Sequence, residues 1–240
     1  MQLYNMEEKV FLTASWNKLI MANYAVDPGI LKEYVPAGTE LDYWNNTCYI
    51  SLVGFMFDNV KVKGIAVPFH RTFPEVNLRF YVRRKEGDDW KRGVVFISEI
   101  VPKRAISFIA NTIYKEHYST MPMKHFLEKN EMTLQAGYSW KKKGRWNSLK
   151  VKTEPVPVTL QPGSEEEFIT EHFWGYAKGS GSTVEYHVSH PRWDIYTVKE
   201  HTVDCDFRTV YSEEFAFLGK KEPVSVFLAE GSPVKVYGKN

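Results

Sequence analysis

The sequence predicts an α+β protein built mainly from antiparallel β-sheet with a few helices, and three observations carry that prediction. Turn signals recur at short intervals between β-branched and aromatic runs, strand alternation is plain over residues 75–82, and only three segments carry helix start signals. A chain of 240 residues with 43% hydrophobic content can bury one substantial core. No repeat, low-complexity tract or linker divides it, so residues 1–240 are read as a single domain. The proline-rich EPVPVTLQPGS at 154–164 is long enough only to join two halves of a sheet.

The elements follow in chain order. In VDPGILKEYVPAG, Asp27 can cap a helix, Pro28 fits its first position, and Pro36 and Gly38 end it after roughly two turns. LDYWNNTCYISLVGF places Asn45-Asn46 between two strand-like runs, a tight hairpin signal. RFYVRRKEGDDWKRGVVFISEI repeats the arrangement with a longer polar loop at Glu86–Arg92. From Pro102, the helical spacing of Ala105, Ile106, Ile109 and Ile113 predicts a helix with Lys103 and Arg104 in its first turn. GYSWKKKGRWNSLKVKTE turns at Lys143-Gly144, and AKGSGSTVEYHV supplies a Gly/Ser turn near Ser180. Between them, Ser164 and Glu167 form a capping box ahead of a third helix, whose Glu165–Glu167 carboxylates suit the positive end of its dipole.

Composition narrows the partners. Lys plus Arg at 31 against Asp plus Glu at 29 gives a net charge of +2, too balanced for nucleic acid or an anionic membrane as the main partner. A small molecule or another subunit is expected, and self-association into a homo-oligomer stays open. The start MQLYNMEEKVFL has acidic residues where a secretory leader needs cations, and no run approaches the roughly 18 apolar residues of a membrane span. Cys48 and Cys205, far apart and without metal-site spacing, read as two reduced thiols of a cytoplasmic protein.

Chemistry concentrates on EVNLRFYV, residues 75–82. Side chains alternate along a strand, so Val76, Leu78, Phe80 and Val82 share one face and Glu75, Asn77, Arg79 and Tyr81 the other. The polar face is either the outside of a half-solvated sheet or the wall of a polar cavity, where its donors and acceptors could orient a ligand. His187 and His190 diverge on a strand and make no compact metal motif, although the HPRW segment at His190 could close one end of a cavity. Tyr114, Tyr118 and Tyr186 could line it. WKKKGRW at 140–146 reads as a solvated turn. No phosphate loop, nucleophile elbow or CxxC pair is present, and neither metal nor cofactor is expected.

The order of LIMANYAVDPGILKEYVPAG after Trp16, ISLVGFMF, PEVNLRFYVRR, GVVFISEI and FITEHFWGYA…VEYHVSHPRW resembles the uncharacterised YqjF-like family, which is grouped structurally with acetoacetate decarboxylase. The resemblance runs from about Trp16 to Trp193. It implies a sheet closed into a barrel or cone, with peripheral helices and an internal cavity. The decarboxylase carries a Pro-Lys-Lys motif whose first lysine forms a Schiff base. Pro102-Lys103-Arg104 stands at a similar place here, so the resemblance implies Lys103 at the Schiff-base position, Arg104 as its cationic neighbour and Glu75 as a cavity carboxylate.

An amine nucleophile must shed its proton, which for lysine means lowering the pKa from about 10.4. Arg104 at roughly 8 Å and an effective dielectric near 20 would contribute about 2 kcal/mol of repulsion, so desolvation would have to supply the rest. Asn77, Arg79, Tyr81, Arg104, Tyr114 and His190 are the expected substrate-binding residues, with Arg79 suited to a carboxylate. Three readings stay open: a cavity protein for a small organic acid or carbonyl compound with lysine-dependent lyase activity, a non-catalytic module for an apolar or aromatic metabolite, and a protein–protein interaction domain.

Overall fold

The computed structural model describes residues 9–66, 68, 70–103, 117–179 and 182–238, and every structural statement below refers to these. Along the chain the strands are β1 (Val10–Val26), β2 (Glu40–Leu41), β3 (Cys48–Val62), β4 (Ile65–Ala66), β5 (Phe73–Glu86), β6 (Asp89–Val101), β7 (Tyr118–Thr120), β8 (Met123–Lys129), β9 (Leu134–Lys142), β10 (Arg145–Thr153), β11 (Trp174–Lys178), β12 (Thr183–Ser189), β13 (Ile195–Tyr196), β14 (Val198–Asp204) and β15 (Ser225–Tyr237). The larger sheet pairs β5 with β3, β3 with β1, β1 with β15, β15 with β12, β12 with β11 and β11 with β6. β6 then returns to β5, so these strands neighbour one another in a closed cycle. Only the β11–β6 step of that cycle is parallel. A second, four-stranded antiparallel sheet runs β14-β10-β9-β8.

The smaller sheet packs on the outer face of the cycle. One core cluster joins Ile20, Ile50, Leu52, Val76, Leu78 and Phe80 of the large sheet to Ala136, Tyr138, Trp140 and Leu149 of the small one. Each large side chain so buried contributes roughly 1.5–3 kcal/mol of transfer free energy. The approach is close at Gly54, where a Cβ would stand 2.7 Å from the Tyr138 ring, so a side chain there would displace the small sheet. A second cluster, with Met21, Val53, Phe55, Phe57, Phe73, Phe168 and Trp193, fills the opposite face of the same strands. β5 is therefore buried on both faces, and the half-solvated alternative for its polar face does not hold: Glu75 and Asn77 are each 2% exposed.

Local signals account for the turns. Asn45 and Asn46 both take positive φ, 46° and 61°, between the bridged pair Trp44 and Thr47, and Lys143 and Gly144 do the same at 45° and 85° between β9 and β10. β11 and β12 pair, with the Gly179 N–H bonded to the Ser182 carbonyl; Ser180, where the sequence places the turn, lies outside the described residues. The polar loop expected at Glu86–Arg92 is shorter: pairing runs to Glu86 opposite Asp89, because Arg83 lies 4.2 Å over the Trp90 ring and Lys91 pairs with Glu86 at 2.6 Å.

The helix after Asp27 is a 3-10 helix, Pro28–Tyr34, with Asp27 accepting from the Gly29 N–H at 2.7 Å. The helix Glu165–Thr170 is capped by Ser164, which accepts from Glu167 N–H, while the Glu167 carboxylate takes the Gly163 N–H. Two further helical segments, Phe207–Val210 and Glu213–Lys220, carried no signal used in the sequence reading. The helix expected from Pro102 lies, from Arg104 onward, outside the described residues.

Candidate functional site

Alternation along β5 turns Glu75, Asn77 and Arg79 toward the inside of the strand cycle, where they line a cavity of about 160 Å³. Aromatic side chains form much of its wall. Trp16 on β1 meets Phe55 and Phe57 of β3 edge-on at 5.5 and 5.9 Å and Trp193 at 6.3 Å, and His190 stacks on Trp193 at 4.0 Å. The cavity thus sets a polar stripe against an apolar aromatic wall.

The stripe is held by its own hydrogen bonds. Asn77 Nδ2 donates to Glu75 Oε1 at 3.1 Å, and the Tyr118 hydroxyl donates to Glu75 Oε2 at 3.3 Å. Burial pushes the Glu75 carboxyl up to about 7, against the opposing pull of those two donors and of the Arg79 charge. Glu99, opposite Asn77 in the β5–β6 register and 2% exposed, lines the same cavity. Arg79 lies 5.6 Å from the Tyr81 ring and spends one Nη2 hydrogen bond on the Ile169 carbonyl at 3.3 Å. Its buried Nε has no partner among the described residues, and neither has Asn77 Oδ1.

A second polar group enters from the segment after the helix Glu165–Thr170. His172 Nε2 lies 3.1 Å from Asp42 Oδ2, and the same oxygen accepts from Arg92 Nε at 2.7 Å. The imidazole is wedged against Tyr81, at 4.8 Å, and Phe168, at 5.0 Å. Burial drives the His172 pKa down to about 4, with the Asp42 hydrogen bond opposing and the Arg92 and Arg79 charges reinforcing the fall. Burial also works against the Asp42 charge, but the hydrogen bonds from His172 and Arg92 outweigh it and hold Asp42 below its ordinary value. An ionised Asp42 only accepts, so Nε2 of the neutral ring carries the proton, and the buried Nδ1, which has no partner among the described residues, presents a lone pair.

Of the residues singled out from sequence, Glu75, Asn77, Arg79 and His190 come together around the cavity. Tyr81 is buried on the same face of β5, but its hydroxyl shares a 2.7 Å hydrogen bond with Ser51 and it is not among the lining residues. Lys103 is half-buried just beyond β6 and is also not among the described lining residues. Arg104 and Tyr114 lie outside the described residues. Tyr118 and Tyr186 line the cavity, and His187 stacks between Trp174 and Tyr237 at 4.8 and 5.0 Å. Cys48 and Cys205 are buried and free. No group of three metal-ligating side chains is found among the described residues, and no described helix is long and apolar enough to cross a membrane.

Sequence reasoning placed none of His172, Asp42 and Glu99 at the site. Alternation through GVVFISEI would have put Glu99 on the face of Val95 and Ile97; the register shift of β6 between Phe96 and Ser98 turns it instead to the cavity beside Val94 and Phe96. The His172–Asp42 contact joins residues 130 positions apart, and no local pattern announces it.

Comparison with known proteins places this geometry. A family model, DUF2071, described as an uncharacterized conserved protein, matches residues 13–233. The uncharacterized protein YqjF of Bacillus subtilis (strain 168) is 30% identical over 182 residues, covering 75% of this chain and 72% of that protein. Among solved structures, the enduracididine biosynthesis enzyme MppR with HEPES buffer bound superposes with a TM-score of 0.66 at 12% identity, covering 96% of this chain and 86% of that one. An acetoacetate decarboxylase-like enzyme from Sphingomonas wittichii RW1 gives 0.65 at 13% identity, with 95% and 91% covered. Acetoacetate decarboxylase from Legionella pneumophila gives 0.62 at 14% identity, with 95% and 86% covered. The fold is acetoacetate decarboxylase-like.

Proposed function

For a chain that belongs to the DUF2071 family of uncharacterized conserved proteins, we propose that the cavity binds a small organic acid or carbonyl compound, the closed strand cycle serving as a barrel around it and the whole chain acting as one domain. The observation that carries this reading is the half-buried Arg79, whose Nε–H is buried without a partner among the described residues and stands on the wall of a cavity rich in aromatic side chains. A buried cationic donor left unpaired is costly, and an acceptor such as a carboxylate or carbonyl oxygen removes that cost. The aromatic wall suits the ligand's apolar body. Glu75, held near its own titration point, can be protonated beside an anion and so does not have to repel it. One structural neighbour, MppR, has been crystallised with pyruvate, a small acid of this class.

A lyase step through Lys103 is the finer form of this proposal. The amine would add to the ketone carbonyl of a β-keto acid and lose water to give an imine; the protonated imine would take up the electron pair of the breaking bond to the carboxylate carbon as carbon dioxide leaves, and the resulting enamine would take a proton and be hydrolysed by water, freeing the ketone and the amine. Support for it rests on the Pro102-Lys103 sequence directly after the cavity strand β6. The dominance of aromatic walls favours a second reading, a non-catalytic site for an apolar or aromatic metabolite.

Calorimetric titration with 2-oxo acids, simple carboxylic acids, ketones and uncharged aromatics separates the readings. Selective uptake of acids or ketones supports the acid and carbonyl site, uptake of uncharged aromatics alone supports the second reading, and no uptake from any class overturns both.

A further inference from the structure

The polar groups of the cavity have unequal needs, and the inequality specifies the ligand further. Arg79 Nε–H asks for an acceptor. Asn77 Oδ1 and His172 Nδ1 ask for donors, since the Asn77 amide N–H is committed to Glu75 and the His172 Nε2–H to Asp42. A bare carboxylate or ketone has no donor and leaves both acceptors unmet.

Both acceptors line the same cavity as Arg79. Asn77 and Arg79 are two apart on one face of β5, roughly 7 Å by strand geometry. Arg79 reaches the Ile169 carbonyl three residues before His172, and both Arg79 and His172 pack on Tyr81. His172 is locked in place: its side chain is 1% exposed, with Asp42 on one edge and Tyr81 and Phe168 against the ring.

Resting on the acid-binding reading above, we infer that the ligand carries a hydroxyl beside its carboxyl group, as in a 2-hydroxy acid or the enol of a 2-oxo acid, with Arg79 holding the carboxyl oxygen and His172 Nδ1 accepting from the hydroxyl. A neutral O–H fits better than an ammonium as the donor to His172, because the Arg92 and Arg79 charges that reinforce burial in keeping this imidazole uncharged also repel a cation placed beside it. A site built to accept from a hydroxyl discriminates strongly against the analogue that lacks it, because the acceptor is then left buried and unpaired.

The test uses acids matched in size: lactate, pyruvate and propionate, and their phenyl counterparts 3-phenyllactate, phenylpyruvate and 3-phenylpropionate, titrated calorimetrically into the full chain. The inference predicts that the hydroxy acid binds at least tenfold more tightly than the unsubstituted acid in one or both sets, and that His172→Phe removes most of that preference while retaining binding of the unsubstituted acid. In the unaltered protein, the imidazole ¹⁵N signal of His172 Nδ1 should begin as that of an unprotonated nitrogen and move upfield with the hydroxy acid but not with the unsubstituted acid; this reading does not depend on the variant folding. Equal binding of hydroxy and unsubstituted acids, with an unmoved Nδ1 signal, overturns this inference and leaves the acid-binding reading standing. Failure of all six acids to bind overturns both.

Discussion

Asn77 gives its amide N–H to Glu75 across 3.1 Å, and in doing so turns its carbonyl oxygen, unpartnered among the described residues, to the same buried cavity. One side chain thus holds the carboxyl in place and keeps an acceptor for something else. The same division of labour recurs at His172, where one ring nitrogen anchors and the other is open. Such pairs are how a fold keeps polar groups oriented in an apolar enclosure without satisfying all of them internally.

Glu75 makes both ligand binding and stability depend on pH. Its carboxyl, raised by burial from 4.5 to about 7, contributes stability that is fully present below about 4.5 and is lost as pH rises through about 7, because the buried charge then has to form. Denaturation midpoints measured from pH 5 to 8 should fall with rising pH more steeply in the unaltered protein than in Glu75→Gln. Affinity for an anionic ligand should fall over the same window and flatten in that variant.

Asp42→Ala leaves the buried His172 Nε2 and the partly exposed Arg92 guanidinium without their shared acceptor. The expected cost is about 1–3 kcal/mol, read from urea denaturation. A cost indistinguishable from that of an exposed carboxylate variant such as Glu222→Ala would show that the pair does not hold the site together.

Gly54→Ala drives a methyl into the Tyr138 ring and should destabilise by about 1–3 kcal/mol. Combined with Tyr138→Ala, the same change should cost clearly less, because the ring it collides with is gone; additive costs in this double-mutant cycle would contradict the close approach of the two sheets.

How far the sequence could carry this description depended on the range of the interactions. Turns at Asn45-Asn46 and Lys143-Gly144 and the cap at Ser164 are local chemistry, and each was legible. The alternation through residues 75–82 separated two faces correctly, but periodicity cannot tell water from a cavity, and only the packing of the second sheet shows that both faces of β5 are buried. The loop at Glu86–Arg92 misled because charged residues resemble a turn when their cross-strand partners, Arg83 with Trp90 and Glu86 with Lys91, are out of view. His172 and Asp42 were hidden for the same reason at longer range: a buried pair 130 positions apart is a product of topology.

Lys103 provides the test of lyase chemistry. Incubation with β-keto acids, ketones and aldehydes followed by borohydride reduction should give a stoichiometric adduct on the Lys103 peptide that disappears in Lys103→Ala. Labelling spread thinly over many lysines, or none, would remove the Schiff-base step and leave a binding site.

The most direct test of the central claim is the affinity of 3-phenylpropionate and of its uncharged amide, measured by calorimetry for the unaltered protein and for Arg79→Lys. Loss of a charge-assisted hydrogen bond costs about 1.5–3 kcal/mol. The account therefore predicts that the acid binds the unaltered protein roughly ten- to a hundredfold more tightly than the amide does, and that Arg79→Lys, which cannot reproduce the Nε–H geometry, loses most of that margin. Equal binding of acid and amide, unchanged by the substitution, would contradict the account and assign the cavity to apolar ligands.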